Sequence, residues 1–509
     1  MARKKVIVIG AGPGGLTSAM ILAKRGFDVT VFEKEPVVGG RNAPIRLDGY
    51  TFDTGPTFLM MNFILKEMFT EAGRNAEDYM TVKKLEPMYR LRFPDFDIFP
   101  TGDPEHMRRQ IAGLFPGNEP GYERFLAGER RRFEMLFPCL QKPYSSFADL
   151  FSPALLRALP YLSLGRSMFG QLGRYFSSDA LKLAFTFQAK YLGMSAWDCP
   201  AAFTMVPYIE HGHGIYHVIG GLNAISLGMQ KVCDELGVNI RTSTPVRRLV
   251  IEGRTIRAVE LESGERASAD DYIINADFSH AMQNLCAPGE TRKYTPAKFA
   301  SMSYSCSIFM IYLGVDTVYD IPHHTIVFAR DYKKNVHEIF TSMRLSTDNS
   351  FYVQNASITD PTLAPAGKST LYILAPVPNN RSGIDWAAEK DRFAEHILDQ
   401  VVERTELKDV RDHIEVRKVI APDNWERDYN VHLGATFNIG HSLFQMMYFR
   451  PHNRSEEFNN CYIVGGGTHP GSGLPTIYES ARISANLLCK KHGVAFMPPG
   501  PLPSKAAFS

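Results

Sequence analysis

The sequence predicts an α/β protein: a Rossmann-like nucleotide-binding domain built from discontinuous segments, joined by a mixed-sheet domain and a helical subdomain. Three observations predict it. An apolar strand runs straight into a glycine turn and a helix at the start of the chain. A second strand–helix cluster recurs between residues 220 and 276. A third strand, again ending in glycine and followed by a helix, comes near the end.

The first element is Val6-Ile7-Val8-Ile9, apolar enough for a buried parallel strand, followed by Gly10-Ala11-Gly12-Pro13-Gly14-Gly15 and a helix to about Arg25. Gly10 permits the turn, Gly12 lets a pyrophosphate approach the backbone, and Gly15 lets helix and strand pack closely, with Gly14 in the same phosphate-binding loop. The N–H groups at the helix start then hold phosphate. The next strand, Val29–Phe32, ends in Glu33, 23 residues after Gly10, where a carboxylate can bond ribose hydroxyls, with Lys34 beside it. A Gly39-Gly40-Arg41 triplet follows that is not part of the simple NAD fingerprint. Its glycines allow another close backbone approach, and Arg41 offers a fixed positive fork to a pyrophosphate, a surface loop with a stray Arg being the alternative. The turn Phe52-Asp53-Thr54-Gly55-Pro56 closes the segment, which we bound at 1–75.

Residues 76–211 read as mainly helical, with a helix start at Asp103-Pro104. Ala154 to Phe176 is a broken apolar stretch carrying Arg157, Arg166 and Arg174. It suits either an interfacial patch on a membrane or helices packed around a cavity. Residues 212–290 return to α/β texture: a helix from Gly220-Gly221-Leu222 to Leu236, then strands and a hairpin around Val246, a candidate cofactor contact, and the buried strand Tyr272–Ala276. Residues 291–454 mix strands (Ser307–Leu313, Ser369–Ala375) with a helix near Trp386–Arg404 and read as a substrate domain with an antiparallel sheet. Residues 455–495 hold the last strand, Cys461–Val464, and a helix from about Ile477 to His492; 496–509 is a loose tail. An NAD-only domain has no need of this second glycine-rich turn, whereas a flavin ring, far from its adenosine, needs backbone donors of its own. The pattern therefore points to FAD, a plain strand–helix turn being the alternative.

The net charge of +2 disfavours nucleic acid as a partner. Seven scattered cysteines without a CxxC pair read as reduced thiols of a cytoplasmic protein, with no metal centre. Glu210-His211-Gly212-His213 with His217 would share one face if extended, but pocket-lining or satisfied histidines are the preferred reading. No apolar run is long enough to span a bilayer, and the basic Arg3-Lys4-Lys5 precedes a strand rather than a signal peptide.

The stretch Gly10–Gly15, Glu33, Gly39-Gly40-Arg41 and Phe52–Pro56 resembles the N-terminal pattern of the bacterial phytoene desaturases and related carotenoid oxidoreductases. Tyr304–Ser307 and Asp360–Pro365 resemble that family's central segments, and Val464–Pro475 its C-terminal motif. The resemblance implies an FAD enzyme of amine-oxidase-like fold that is peripherally membrane-bound. It implies desaturation of a long linear isoprenoid of phytoene or dehydrosqualene type by hydride transfer to flavin, with quinone or oxygen as electron acceptor. End-group oxidation of a carotenoid on the same fold and flavin amine oxidation are the alternatives. Gly466 and Gly467 stand where many flavoproteins place an Asp, and Leu474–Ser480 is bulkier and more polar than the usual form, with Pro475, Thr476 and Ile477 as cofactor contacts. Asp53 and Glu479 are candidates for the base that removes the substrate proton, because their motifs should lie near the flavin.

Overall fold

A computed structural model describes residues 3–500 and residue 502; the remainder of the expected tail lies outside the described residues. The nucleotide-binding sheet holds β1 (Lys5–Ile9), β2 (Asp28–Phe32), β3 (Asn239–Arg241), β4 (Asp271–Ile274) and β5 (Cys461–Ile463), in the spatial order β5-β4-β1-β2-β3, all parallel. Apart from its first residue β1 is buried, as are all of β4 and β5. That is why these strands read as continuous apolar runs rather than alternating ones. Helix α1 (Pro13–Lys24) packs against both α2 (Asn223–Glu235) and α3 (Leu474–His492).

Register determines where the site lies. Ile9 pairs with Ile274 and Ile274 with Ile463, so β1, β4 and β5 end in one row. The turns that follow open side by side at the carboxyl edge of the sheet, the usual ligand edge of a parallel α/β sheet.

A seven-stranded mixed sheet stands next to this edge, in the order Ile414–Ile420, Ser307–Val315, Ser369–Val377, Phe351–Asn355, His324–Val327, Arg90–Arg92, Asp97–Ile98. Its neighbours are antiparallel except His324–Val327 with Arg90–Arg92. The last two strands come from the stretch expected to be mainly helical; at three and two residues they are too short for any periodicity to show. The strand Ser307–Val315 is buried throughout. Phe309, Ile311 and Leu313 face the helix Trp386–Arg404, while Ile308, Met310 and Tyr312 face the hairpin Pro44–Asp53. The second face fastens the sheet to the nucleotide-binding unit.

The helices Glu119–Leu140, Pro153–Leu162 and Met205–His213 pack together on the remaining side. His211 and His213 thus end a helix instead of alternating along a strand. His211 Nδ1 lies 3.1 Å from Tyr122 Oη, and His217 Nε2 lies 3.1 Å from Asp360. No cluster of three or more His, Cys, Asp or Glu suited to a metal occurs among the described residues, and none of their helices is long and apolar enough to cross a membrane. All seven cysteines are buried free thiols.

Candidate functional site

Each glycine turn at the sheet edge is forced by what lies against it. Gly10 has φ +96°, and a Cβ there would sit 2.4 Å from the Asn275 carbonyl oxygen. A Cβ on Gly15 would sit 2.1 Å from Gly10 O. Any larger residue at either position pushes β1, β4 and α1 apart. Asn275, which follows β4, donates from Nδ2 to Gly10 O at 3.0 Å and locks the turn from behind. The N-cap of α1 is Gly12, which brings no side chain to its first-turn N–H groups. The start of α1 is therefore bare backbone facing the cleft, the arrangement that binds phosphate.

Glu33 Oε2 accepts from Ala11 N at 2.6 Å and Oε1 from Glu35 N at 2.9 Å. Each oxygen keeps a lone pair for ribose hydroxyls. Burial raises its pKa, the two backbone donors opposing that shift. Lys34 lines the same end of the cleft and donates to Asp428 O at 2.9 Å. The Gly39-Gly40 turn lies against the first: Gly39 N donates to Ala11 O at 2.9 Å, and a Cβ on Gly40 would lie 3.4 Å from Gly12 Cα. The adjacent Arg41 is half-buried. It donates to Thr436 O, faces the Asp277 carboxylate, and Asn438 bridges the two, its oxygen 3.1 Å from Arg41 and its nitrogen 2.8 Å from Asp277. Burial pushes Asp277 up to about 6, against the His280 N–H that it caps and the Arg41 charge.

The mixed sheet holds the loop after Asp53 with three tyrosines. Tyr312 donates to Thr54 O at 2.6 Å, Tyr372 to Gly55 O at 2.7 Å, and Tyr352 to Thr57 Oγ1 at 3.0 Å.

Opposite stands the C-terminal turn. α3 begins at Leu474, earlier than the sequence suggested, because Pro475 takes the first turn where its missing N–H costs nothing. Its N-cap, Gly473, again brings no side chain. Arg450, which no motif pointed to, organises this turn from a fully buried position. It donates to the carbonyls of Thr468 (3.0 Å), Gly466 (2.6 Å), Ile439 (3.1 Å), Gly440 (3.1 Å) and Gln445 (3.0 Å). Burial lowers its pKa to about 9.

These turns surround one cavity of about 1280 Å³. Of the sequence candidates, Gly10, Gly12, Gly14, Glu33, Lys34, Gly40, Arg41, Gly55, Val246, Gly466, Pro475, Thr476 and Ile477 are on its wall. Gly15 and Gly467 stand just behind it, Gly467 where a Cβ would meet Phe278 Cβ at 2.6 Å.

The two base candidates are off the wall. Asp53 Oδ1 accepts the Leu222 N–H at 2.7 Å, and Asp360 takes the Gly220 N–H at 2.7 Å, so two buried carboxylates fasten the turn into α2. Glu479 pairs with buried Arg482, which also reaches Glu67 at 2.7 Å and Glu71 at 3.3 Å on the helix Asn62–Glu71. Both carboxylates hold neighbouring elements in place. Position in a motif near the cleft did not mean that the side chain faces it.

The model for flavin-containing amine oxidoreductases matches residues 13–489. The chain belongs to this family. Within it, the chain is 53% identical over 493 residues, covering 97% of itself and 96% of its relative, to a 4,4'-diapophytoene desaturase (4,4'-diapolycopene-forming) of Methylomonas sp. It is 35% identical to an all-trans-zeta-carotene desaturase of Myxococcus xanthus (98% and 95% covered) and 31% to a 4,4'-diapophytoene desaturase of Staphylococcus aureus (96% and 99%). Among solved structures it shares its fold with an oxidoreductase from Methanosarcina mazei (TM-score 0.61, 18% identity, 94% and 98% covered) and with a putrescine oxidase (0.63, 14%, 97% and 99%). The family's flavin suits the residues present: two uncapped helix starts, glycines with no room for a Cβ, a buried acid and a half-buried arginine all converge on one cleft.

Away from the glycine turns the cavity of this family member becomes apolar, lined by Met60, Phe133, Leu136, Leu155, Leu162 and Phe203. Lys190 and His441, which the sequence reading did not single out, also reach its wall there or beside the C-terminal turn, as does His469 of the Val464–Pro475 motif. Lone residues in unremarkable surroundings give no sequence signal.

Proposed function

We propose that this chain is an FAD-dependent desaturase of a long linear isoprenoid of the 4,4'-diapophytoene or phytoene type. The observation that carries the reading is that glycine turns and an apolar wall line one cavity of about 1280 Å³, in a chain whose relatives are named as desaturases of such molecules. In this reading the start of α1 takes the pyrophosphate, Glu33 the ribose and Val246 a place along the adenosine. Arg41, Gly466 and the start of α3 lie along the rest of the cofactor, where a helix N-terminus favours developing negative charge. The bound flavin supplies the two-electron acceptor. The apolar wall orients a flexible chain and keeps water away from it.

The substrate has to be taken from a membrane. On the helix Pro153–Leu162, Leu155 and Leu162 line the cavity while Leu156 and Leu159 face outward. Beside them Phe151, Leu164 and Phe444 are exposed by 61%, 62% and 79%, with Phe147 and Phe449, and Arg157, Arg166 and Arg174 are exposed nearby. An outward apolar patch sharing elements with the cavity wall, rimmed by cations, suits peripheral docking on an anionic bilayer from the cytoplasmic side. A membrane quinone or oxygen would then serve as re-oxidant.

Expression in cells that accumulate 4,4'-diapophytoene, and in parallel phytoene, tests the proposal. Coloured extracts whose mass falls by two hydrogens per added double bond are expected, together with flavin absorbance in the purified protein. Mass gain by oxygen would instead favour end-group oxidation. Unchanged substrate, or turnover of amines, would overturn the reading.

A further inference from the structure

Making a double bond from CH2–CH2 takes a hydride from one carbon and a proton from its neighbour. The electron pair of the second C–H bond becomes the π bond. Under the function proposed above the flavin accepts the hydride, so the proton needs a base on the cavity wall.

Most candidates there are already engaged. Asp277 accepts the His280 N–H at 3.0 Å and faces Arg41. His441 Nε2 accepts from Ser472 N at 3.2 Å, so in the neutral ring the proton sits on Nδ1 and no basic lone pair faces the cavity. Both nitrogens of His469 lack partners, but burial beside Arg450 and Lys142 lowers it to about 3. Lys190 differs. It is on the short helix Phe187–Leu192, its Nζ is closed to solvent, and that atom has no hydrogen-bond partner. Nζ stands 4.6 Å from the Tyr332 ring centroid, and both residues are on the cavity wall with Phe187, Leu192 and Phe328.

We propose that Lys190 is a catalytic residue, the base that accepts the substrate proton. The inference rests on the desaturase reading. Burial lowers the amine to about 7, so a large share carries a free lone pair at neutral pH. The titratable groups facing it are the Cys306 thiol and the Tyr332 phenol, both held protonated by burial; Cys306 is pushed up to about 12. Neither offers a permanent countercharge. The ammonium formed on proton transfer is stabilised by the Tyr332 ring face. It returns its proton to water once the product has left.

The test compares wild-type holoprotein with Lys190→Met and Lys190→Arg. The guanidinium of the second variant keeps the charge but cannot act as the base. Both variants are expected to keep full flavin absorbance and to lose kcat by about 100-fold or more. Wild-type kcat should rise with pH to a plateau above about 7, a rise absent from the residual activity of K190M. Independently of turnover, holoprotein made with ε-13C-lysine should give a resonance, missing in K190M, that titrates near 7. Turnover of either variant within about threefold of wild type, or a resonance titrating in the ordinary lysine range, overturns the assignment. A wild-type protein that binds flavin yet desaturates nothing overturns the desaturase reading itself. Active wild type with unimpaired variants removes Lys190 alone.

Discussion

Arg450→Met tests how the C-terminal half of the cofactor cleft is held. The guanidinium is fully buried and bonds five backbone carbonyls, two in the turn after β5 and three in the 439–445 loop. Methionine fills most of the space but donates nothing. Gly440 O keeps the Gln445 side-chain amide at 3.2 Å, which leaves the Thr468, Gly466, Ile439 and Gln445 carbonyls without the donor described here. At about 1–3 kcal/mol for each buried acceptor stranded, the loss is at least ~4 kcal/mol. Removing a buried guanidinium with no carboxylate partner recovers part of this, so a net destabilisation of roughly 2–4 kcal/mol is expected, a large share of a typical stability of about 5–15 kcal/mol. Urea unfolding at fixed flavin concentration reads the stability, and visible absorbance of the purified protein reads the occupancy. R450M should unfold at lower urea and carry far less flavin, with R450K intermediate. An unchanged midpoint together with full flavin would refute the idea that this cage shapes the turn.

Asp53→Asn should retain near wild-type turnover, because an amide oxygen still accepts the Leu222 N–H, whereas Asp53→Ala should lose about 1–3 kcal/mol in urea unfolding. Lost turnover at unchanged stability in D53N would return Asp53 to the role of base. Lys190 also gives stability a pH dependence. Between about 7 and its ordinary 10.5 the unfolded chain binds a proton that the folded chain does not, so stability should rise with pH. The slope is at most about 1.4 kcal/mol per unit, and comparing wild type with K190M by urea unfolding at several pH values isolates it; parallel curves would refute a neutral amine. Phe444→Glu and Phe151→Glu should each weaken co-sedimentation with anionic liposomes several-fold while sparing turnover of detergent-dispersed substrate. Undiminished binding would remove this patch from the membrane contact.

The parts of the site built from backbone were legible in the sequence. Gly10 and Gly15 are required by contacts that exclude a Cβ, and Glu33 by its place at the end of β2, so residue type and spacing carry the information. Groups that act through tertiary contacts were not legible. Asn275, Arg450 and Lys190 belong to no periodic pattern, and Tyr312, Tyr352 and Tyr372 look like ordinary strand residues until the Thr54–Thr57 loop comes down on them. Asp53 and Glu479 differ in the opposite sense. Their motifs are at the cleft, but one side chain turns toward α2 and the other toward the helix Asn62–Glu71.

The parallel sheet joins strands more than 450 residues apart in sequence, Lys5–Ile9 and Cys461–Ile463, with β4 filling the place between them. A ribosome makes β5 and α3 after every other strand of this sheet. Until then β4 presents an unpaired border, and the cradle lacks the side from which Gly466 and the start of α3 would meet the ring. Under the proposed cofactor placement, flavin capture waits for the β5–α3 segment, and a chain truncated before Cys461 would keep the turn after β1 yet have nothing to close the opposite side of the cleft.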